Sequence, residues 1–419
     1  MLQSPVIRLE DYAVSDRNGF LPTSPPLAKL PGAYYEPWEA LASRLSTLIK
    51  DGSIRSKIDN LPILDASWLQ TEPEWRRAYS VLGFLTHAYI WGGEKPKDTI
   101  PPCITKPFLE ICDHLGLPPC ATYAGLTLWN YTAPGDVDIS NPDNLSLLTS
   151  FTETVDEEWF LLISVAIEAK GGKLVSLMLD AIAAATANDV PRLTALLCRF
   201  ADGLRDFNCT LQRMHERCDP EVFFYQLRPF LAGSKNMASA GLPKGVFYDE
   251  GNGQGQWQQY SGGSNGQSSL IQTFDIFLGV NHPATGGISG PSGYLKEMRD
   301  YMPGPHRRFL EVLTHHSNIR SFVISSPNEQ SLKEAYNAAC LTLSAFRDTH
   351  VQVVSRYIVL AAKRGTSRTQ SSENVNLATA SAQVDGLKDD NPSGLYGTGG
   401  TALMPFLKQT RDTTKDATI

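Results

Sequence analysis

The chain has no Cys-x-x-Cys pair, no Gly-Lys-Ser or Gly-Lys-Thr loop, no His-Glu-x-x-His and no surplus of positive charge. Each absence removes a class of function. The seven cysteines, at 103, 112, 120, 198, 209, 218 and 340, are an odd and scattered set, which reads as reduced thiols and not as a disulfide framework. The Gly-rich stretch 251–266 lacks the lysine and hydroxyl that hold a phosphate, so it reads either as a surface turn or as a loop whose backbone approaches a buried ligand. His315 and His316 are adjacent and diverge by about 100° on a helix, so they do not clamp one metal ion. A net charge of -7 leaves nothing to neutralise a nucleic acid. No apolar run approaches the ~20 residues that span a bilayer. The opening MLQSPVIRLEDYAV meets Arg8, Glu10 and Asp11 before any apolar run, unlike a secretory leader. A soluble cytoplasmic protein without nucleic-acid or membrane partners is expected.

What is present is helical period. With 419 residues, 42% of them hydrophobic, the chain can build a large core, and its length suggests two domains. The expected boundary lies near 150, giving units 1–150 and 151–419. Prolines at 22, 25, 26, 31 and 37 make the start an extended strap that packs down through its aromatic residues. Helices are expected from Trp38 to Asp51-Gly52, from a capping box at Thr71 and Glu74 to Trp91, between Pro101 and Pro119, and over 157–169, 173–186, 190–217, 221–231 and 268–280. Residues 121–140 suggest a short strand pair. Residues 363–400 are polar and form a long loop whose far end, 401–407, is apolar enough to dock again, as in a lid.

The stretch 337–361 organises the rest. Ala339, Leu343, Phe346, His350, Val353, Tyr357 and Leu360 fall on one stripe of a helix, so His350 lies on the face to be buried. A buried imidazole needs a partner, and a backbone carbonyl or a metal would each serve. Asp275 sits between Phe274 and Ile276, where an unpaired carboxylate is costly and an arginine is wanted.

Six strings then resemble the indoleamine 2,3-dioxygenase family: THVQVVSRYI at 349–358, FLLISVAIE at 160–168, FFYQLRPFLAG at 223–233, GGSNGQSSLIQTFDIFLG at 262–279, MRDYMPGPHRRFL at 298–310 and GTGGTALMPFLK at 397–408. They occur in family order over almost the whole chain. The resemblance implies an all-α fold, with a small N-terminal domain covering the distal side of a pocket for haem b and a large helical domain carrying the cofactor. It implies cleavage of the indole C2–C3 bond of L-tryptophan or another indoleamine by O2, giving N-formylkynurenine, with an electron donor keeping the iron ferrous and the protein a monomer. On this basis His350 matches the metal ligand, Arg347 an arginine at a haem propionate, and Asp275 its acidic neighbour. Tyr123, Phe160, Ser164 and Phe223 match the indole pocket, Arg228 the substrate carboxylate's partner, Gly263 and Ser264 the loop at the haem edge, and Thr398 the lid threonine.

Spacing bears on these positions. Phe160 and Ser164 are four apart and are expected to face one cavity. Phe223 and Arg228 are five apart, roughly 140° round an α-helix, so Arg228 would have to reach back. Leu161, Asn265 and Pro229 depart from the family pattern and bear on substrate affinity. They motivate an alternative, a haem-binding sensor of the same fold with little turnover.

Overall fold

Apolar residues at helical spacing, stopped by glycine, proline and capping side chains, build nearly every element of the chain in this computed structural model, which describes residues 7–282, 291–368, 397–398 and 403–419. Helix α1, Glu72–Trp91, begins with Pro73 in its first turn. Its cap differs from the expected box. Thr71 donates its hydroxyl to Glu74 (3.0 Å), and Glu74 accepts from the Gln70 amide (2.9 Å), one residue earlier than the standard arrangement. Helix α2, Pro102–Leu115, ends where Gly116 turns left-handed (φ 66°). The helix expected from Trp38 is two short ones, Glu36–Ala42 and Leu45–Lys50, interrupted at Ser43 and Arg44.

The two helices expected over 157–169 and 173–186 are one, α3, Val155–Thr186. The Gly171-Gly172 pair serves close packing and not a break. A Cβ on Gly172 would stand 2.4 Å from the Arg17 carbonyl oxygen, and one on Gly171 2.3 Å from Leu270. The N-terminal strap thus lies directly on α3, and Phe20 packs edge-on against Phe309 and His306, as its aromatic content suggested. Helix α4 is Val190–Gln212, capped by Asp189, with Met214–Arg217 a separate turn. Helix α5, Ser269–Leu278, is capped by Ser268 and closed by left-handed Gly279. Helices α6, Gly304–His316, α7, Gln330–Val354, and α8, Leu403–Lys415, complete the bundle. The broadest packing joins α7 to α4 and α4 to α3, with α8 laid on α7. Among the described residues no helix is long and apolar enough to cross a membrane.

Strands are few, in keeping with an all-α fold. β1, Thr99–Ile100, pairs with β4, Val246–Gly251, which forms a hairpin with β5, Gln254–Gln258. Residues 251–258 are therefore strand and turn. Asn252 and Gly253 both take positive φ, the tight hairpin turn that an Asn-Gly pair favours. The strand pair expected within 121–140 is instead β2, Tyr131–Thr132, against β3, Ser146–Leu147.

Three segments wind as π-helical turns, Ala124–Leu128, Phe223–Leu227 and Ser355–Leu360. The last continues α7 into Ala361–Arg368. Its extra residue shifts the expected stripe. Tyr357 is buried, but Leu360 is 46% exposed and Ala361 takes the inward position instead. One apolar core runs from Val14 to Ala417. The proposed lid loop lies outside the described residues from 369 to 396.

Candidate active site

Two adjoining cavities open on the inner face of α7, with about 900 and 860 Å³ of empty space, mouths included. His350 lines both. Tyr123, Asn265, Gly266, Phe406 and Leu407 also border both, so the two spaces meet along this line. Neither nitrogen of the His350 imidazole has a hydrogen-bond partner among the described residues, which answers against the backbone-carbonyl alternative. Burial, reinforced by the neighbouring Arg347 guanidinium, pulls its pKa down to about 4, so the ring is neutral and free to donate a lone pair.

The donor set limits what that lone pair can hold. Among the described residues His350 is the only histidine on either cavity wall, and no cysteine or methionine lines them. Among the described residues no cluster of three or more histidine, cysteine or carboxylate side chains offers a bare metal ion a cage. An iron bound here takes one protein nitrogen and must bring its other ligands with it, as a porphyrin does.

Arg347 stands one turn before His350 and lines the second cavity. It donates to Asp275 Oδ2 at 2.7 Å, to the Thr410 carbonyl at 3.4 Å, and to the Thr414 hydroxyl. Asp275 lines neither cavity. It stands behind Arg347, the partner the sequence asked for, and also meets His282 Nε2 at 3.1 Å. Burial works against its charge, but Arg347 and His282 outweigh it and bring its pKa to about 2. His282, tied through Nδ1 to Thr413 at 2.9 Å, was not foreseen, because nothing in its surroundings 280–285 has a period.

The first cavity is walled by Phe160, Phe223, Leu126 and Leu231, and by Val354 and Ile358, which follow His350 on its own helical run. The Phe160 and Phe223 rings touch at 4.9 Å, and Phe223 rests edge-on against Tyr357 at 5.8 Å. Arg228 lines this cavity, fully buried, and burial lowers its pKa to about 10. It does not reach back as an α-helix would require. In the π turn the Arg228 amide donates to the Phe223 carbonyl, so residues five apart come nearly into line. Pro229 fits this geometry. Its ring would clash with the Tyr225 carbonyl in a tight α-turn, and widening the turn relieves the clash. All three π turns lend residues to this cavity: Leu126 and Thr127, Phe223, and Ile358.

Phe160 and Ser164 do not share a cavity. Phe160 lines the first and Ser164 the second, because four residues advance about 6 Å along the axis and the pair straddles the junction. Ser164 makes a long hydrogen bond, 3.5 Å, to the Phe160 carbonyl. Tyr123 borders both spaces and donates to Glu168 Oε1 at 3.0 Å, as does Ser268 at 2.6 Å. Burial pushes the Glu168 carboxyl up to about 7. Glu168 was missed within FLLISVAIE, although a lone acid at i+4 from Ser164 in an apolar run is a visible sign.

The loop 262–266 closes one side. A Cβ on Gly262 would lie 2.0 Å from the Leu231 carbonyl oxygen, and one on Gly263 2.4 Å from Leu126, so the loop packs closely at these two positions. Ser264 caps the next turn through Gly266 and meets the Tyr294 hydroxyl at 3.1 Å. Thr398 donates to the Gly263 carbonyl at 2.8 Å and accepts at its own carbonyl from Gly262 at 3.1 Å. The loop and the lid threonine therefore meet at the cavity's edge.

Comparison with known proteins agrees with this arrangement. Residues 8–417 match the family model described as indoleamine 2,3-dioxygenase. An indoleamine 2,3-dioxygenase of Aspergillus candidus is 44% identical over 97% of this chain and 96% of its own. A 6-hydroxytryptophan 2,3-dioxygenase of Fusarium equiseti is 40% identical over 96% of each. The indoleamine 2,3-dioxygenase of Saccharomyces cerevisiae is 40% identical over 98% of this chain and 93% of its own. The chain belongs to the indoleamine 2,3-dioxygenase family.

Proposed function

We propose that this dioxygenase binds haem b through His350 and uses O2 to open the indole C2–C3 bond of L-tryptophan or a close indoleamine, giving the N-formylkynurenine product. The observation that carries the reading is the unpartnered, neutral imidazole at the junction of two cavities, one of which is apolar and holds a buried arginine. When bound, haem supplies the iron that activates O2, and an electron donor keeps that iron ferrous.

The protein's own residues bind and orient. Fully buried, Arg228 offers a planar fork to the substrate carboxylate, a charge-assisted pair of the strong kind. Tyr123, Phe160 and Phe223 grip the ring, and edge and face contacts fix its plane. Arg347, held by Asp275, would offset the negative charge of the haem's acidic side groups. Gly263 and Ser264 on the loop and Ser164 on α3 would help hold the haem, and Thr398 would close the substrate's side of the cavity. No proton-transferring side chain is required beside the ring, since both atoms of O2 end in the product. In this reading residues 1–150 cover the distal side, residues 151–419 carry the cofactor, and the enzyme works as a cytoplasmic monomer.

A second substrate is favoured by one observation. Asn265, an exposed residue, borders both cavities, and its amide supplies a donor and an acceptor that suit a ring-hydroxylated tryptophan. Purified holoprotein with ascorbate, a redox mediator and either amino acid decides the matter. Sustained formation of the formylkynurenine chromophore from tryptophan supports the first reading, and turnover only with hydroxytryptophan supports the second. A full haem spectrum without turnover of either would replace both with the haem-sensor alternative.

A further inference from the structure

We propose that Glu168 is a positioning residue for the reaction: from behind the cavity wall it fixes the pose of the Tyr123 ring, and with it the affinity of the site for its substrate. The inference rests on the reading of the first cavity as the substrate's. The three rings assigned to the substrate are held by different means. Phe160 and Phe223 brace one another at 4.9 Å, and Phe223 leans on Tyr357 at 5.8 Å. Tyr123 has no aromatic contact among the described residues, and it stands immediately before the π turn Ala124–Leu128, where helical regularity is given up. What ties its side chain is the junction at Glu168. The Tyr123 hydroxyl donates to Oε1 at 3.0 Å, and the Ser268 hydroxyl, the cap of α5, donates to the same oxygen at 2.6 Å. The Tyr123 backbone is tied to the glycine loop as well, since its amide donates to Gln267 Oε1 at 2.8 Å and Gln267 Nε2 donates to the Gly262 carbonyl at 2.8 Å. A shift of Tyr123 therefore reaches the loop that meets Thr398.

Glu168 is a costly residue for this place. It is buried, both hydroxyls fall on Oε1, and Oε2 is sealed from solvent without a partner, which is too little support for a buried carboxylate. Burial accordingly raises its pKa to about 7 against the pull of the two hydroxyls. In the apolar run FLLISVAIE a leucine would fill the space on α3 without that cost, so an acid there fits a task at Oε1, and the ring bound to that oxygen lines the substrate cavity. The other titratable groups facing this space are few. Tyr123, whose phenol burial pushes far up, comes from the turn before α3, and Arg347, a permanent cation, and His350, brought to about 4, come from α7. Ser268 on α5, Gly19 of the strap, and Phe406, Leu407 and Thr410 on α8 bring none. Of the groups around this junction, Glu168 alone changes charge between pH 6 and pH 8.

The test is the affinity of the full-length holoprotein for L-tryptophan and for hydroxytryptophan, read per bound haem from the shift of the Soret band on titration, at pH 6 and at pH 8. At pH 8, Glu168→Leu and Tyr123→Phe, which keeps the ring, are each expected to weaken binding roughly fivefold. The double variant should be no weaker than either alone, since both changes remove the same hydrogen bond. A carboxylate accepts more strongly than the acid, so wild-type affinity falls severalfold from pH 8 to pH 6, and Glu168→Gln, which keeps an acceptor of the same shape, abolishes that dependence. If Glu168→Leu does not fold, the glutamine variant and its pH profile decide alone. Unchanged affinity in Glu168→Leu, losses that add in the double variant, or a pH dependence that survives in Glu168→Gln would each overturn this proposal and leave the substrate reading standing. A wild-type Soret band that responds to neither amino acid would overturn the substrate reading, and this inference with it.

Discussion

The two sides of the cavity system are built by different means. On the anchoring side, His350 and Arg347 ride on the regular helix α7, and Arg347 is locked to Asp275 on α5 by a 2.7 Å ion pair. On the facing side, the wall comes from two π turns, Ala124–Leu128 and Phe223–Leu227, and a glycine loop, while the third π turn continues α7 itself. Regular helices, with every backbone bond made, give a rigid mount for a ligand whose position has to be fixed. Widened turns give up part of that regularity and bring residues such as Phe223 and Arg228 into one line, which a 3.6-residue turn does not allow. The anchor is thus secured by charge and the wall by backbone geometry, and the two should fail differently.

The largest effect is expected where the anchor is broken. Asp275→Ala leaves the Arg347 charge buried, and losing one partner of such a pair costs about 3–5 kcal/mol, read as a fall in the urea midpoint. The sign with pH follows from the depressed carboxyl. Its folded pKa of about 2 lies below the ordinary 3.8, so the stabilisation is complete above about pH 4 and is lost as pH falls toward 2. The variant should lack that acid limb; an unchanged limb would show that the pair is not what holds α5 to α7. On the facing side, Arg228→Ala should lower kcat/KM by roughly tenfold to a hundredfold, mainly through KM, and leave haem content alone. Unchanged tryptophan dependence would remove Arg228 from the site.

Pro229→Ala sharpens the comparison further, because it restores the amide that α-geometry needs. The turn is then free to tighten and swing Arg228 away from Phe223, raising KM by up to about tenfold without altering the haem spectrum. A variant with native kinetics would mean that the π turn is held by its surroundings and not by proline. The smallest effect belongs to Thr398→Ala, which loses one hydrogen bond to Gly263 worth about 1 kcal/mol, seen as a severalfold drop in kcat/KM. A larger loss would give the loop contact a role beyond closure.

The same division explains what could be read from the chain before its structure. His350 on the inner stripe and the need of Asp275 for an arginine followed from the period of α-helices and the cost of an unpaired charge, while Arg347 was named through the family resemblance. The misplacements fall where backbone leaves that period. Arg228 and Leu360 were assigned by a 3.6-residue turn and sit in or beside π turns. Gly171-Gly172 looked like a break and is a contact with Arg17, a partner more than a hundred residues away that local pattern does not contain. Glu168 and His282 were overlooked for a related reason, since each is held by a residue distant in sequence, Ser268 and Thr413.

The central claim is that the imidazole at 350 holds the iron. It is tested by reducing the purified protein under carbon monoxide and recording the Soret region for wild type and for His350→Ala, with and without added imidazole. The account predicts a haem–carbonyl band in the wild type, its loss in the variant, and partial return when imidazole fills the vacated space. A variant that keeps a full complement of haem with the wild-type band would contradict it.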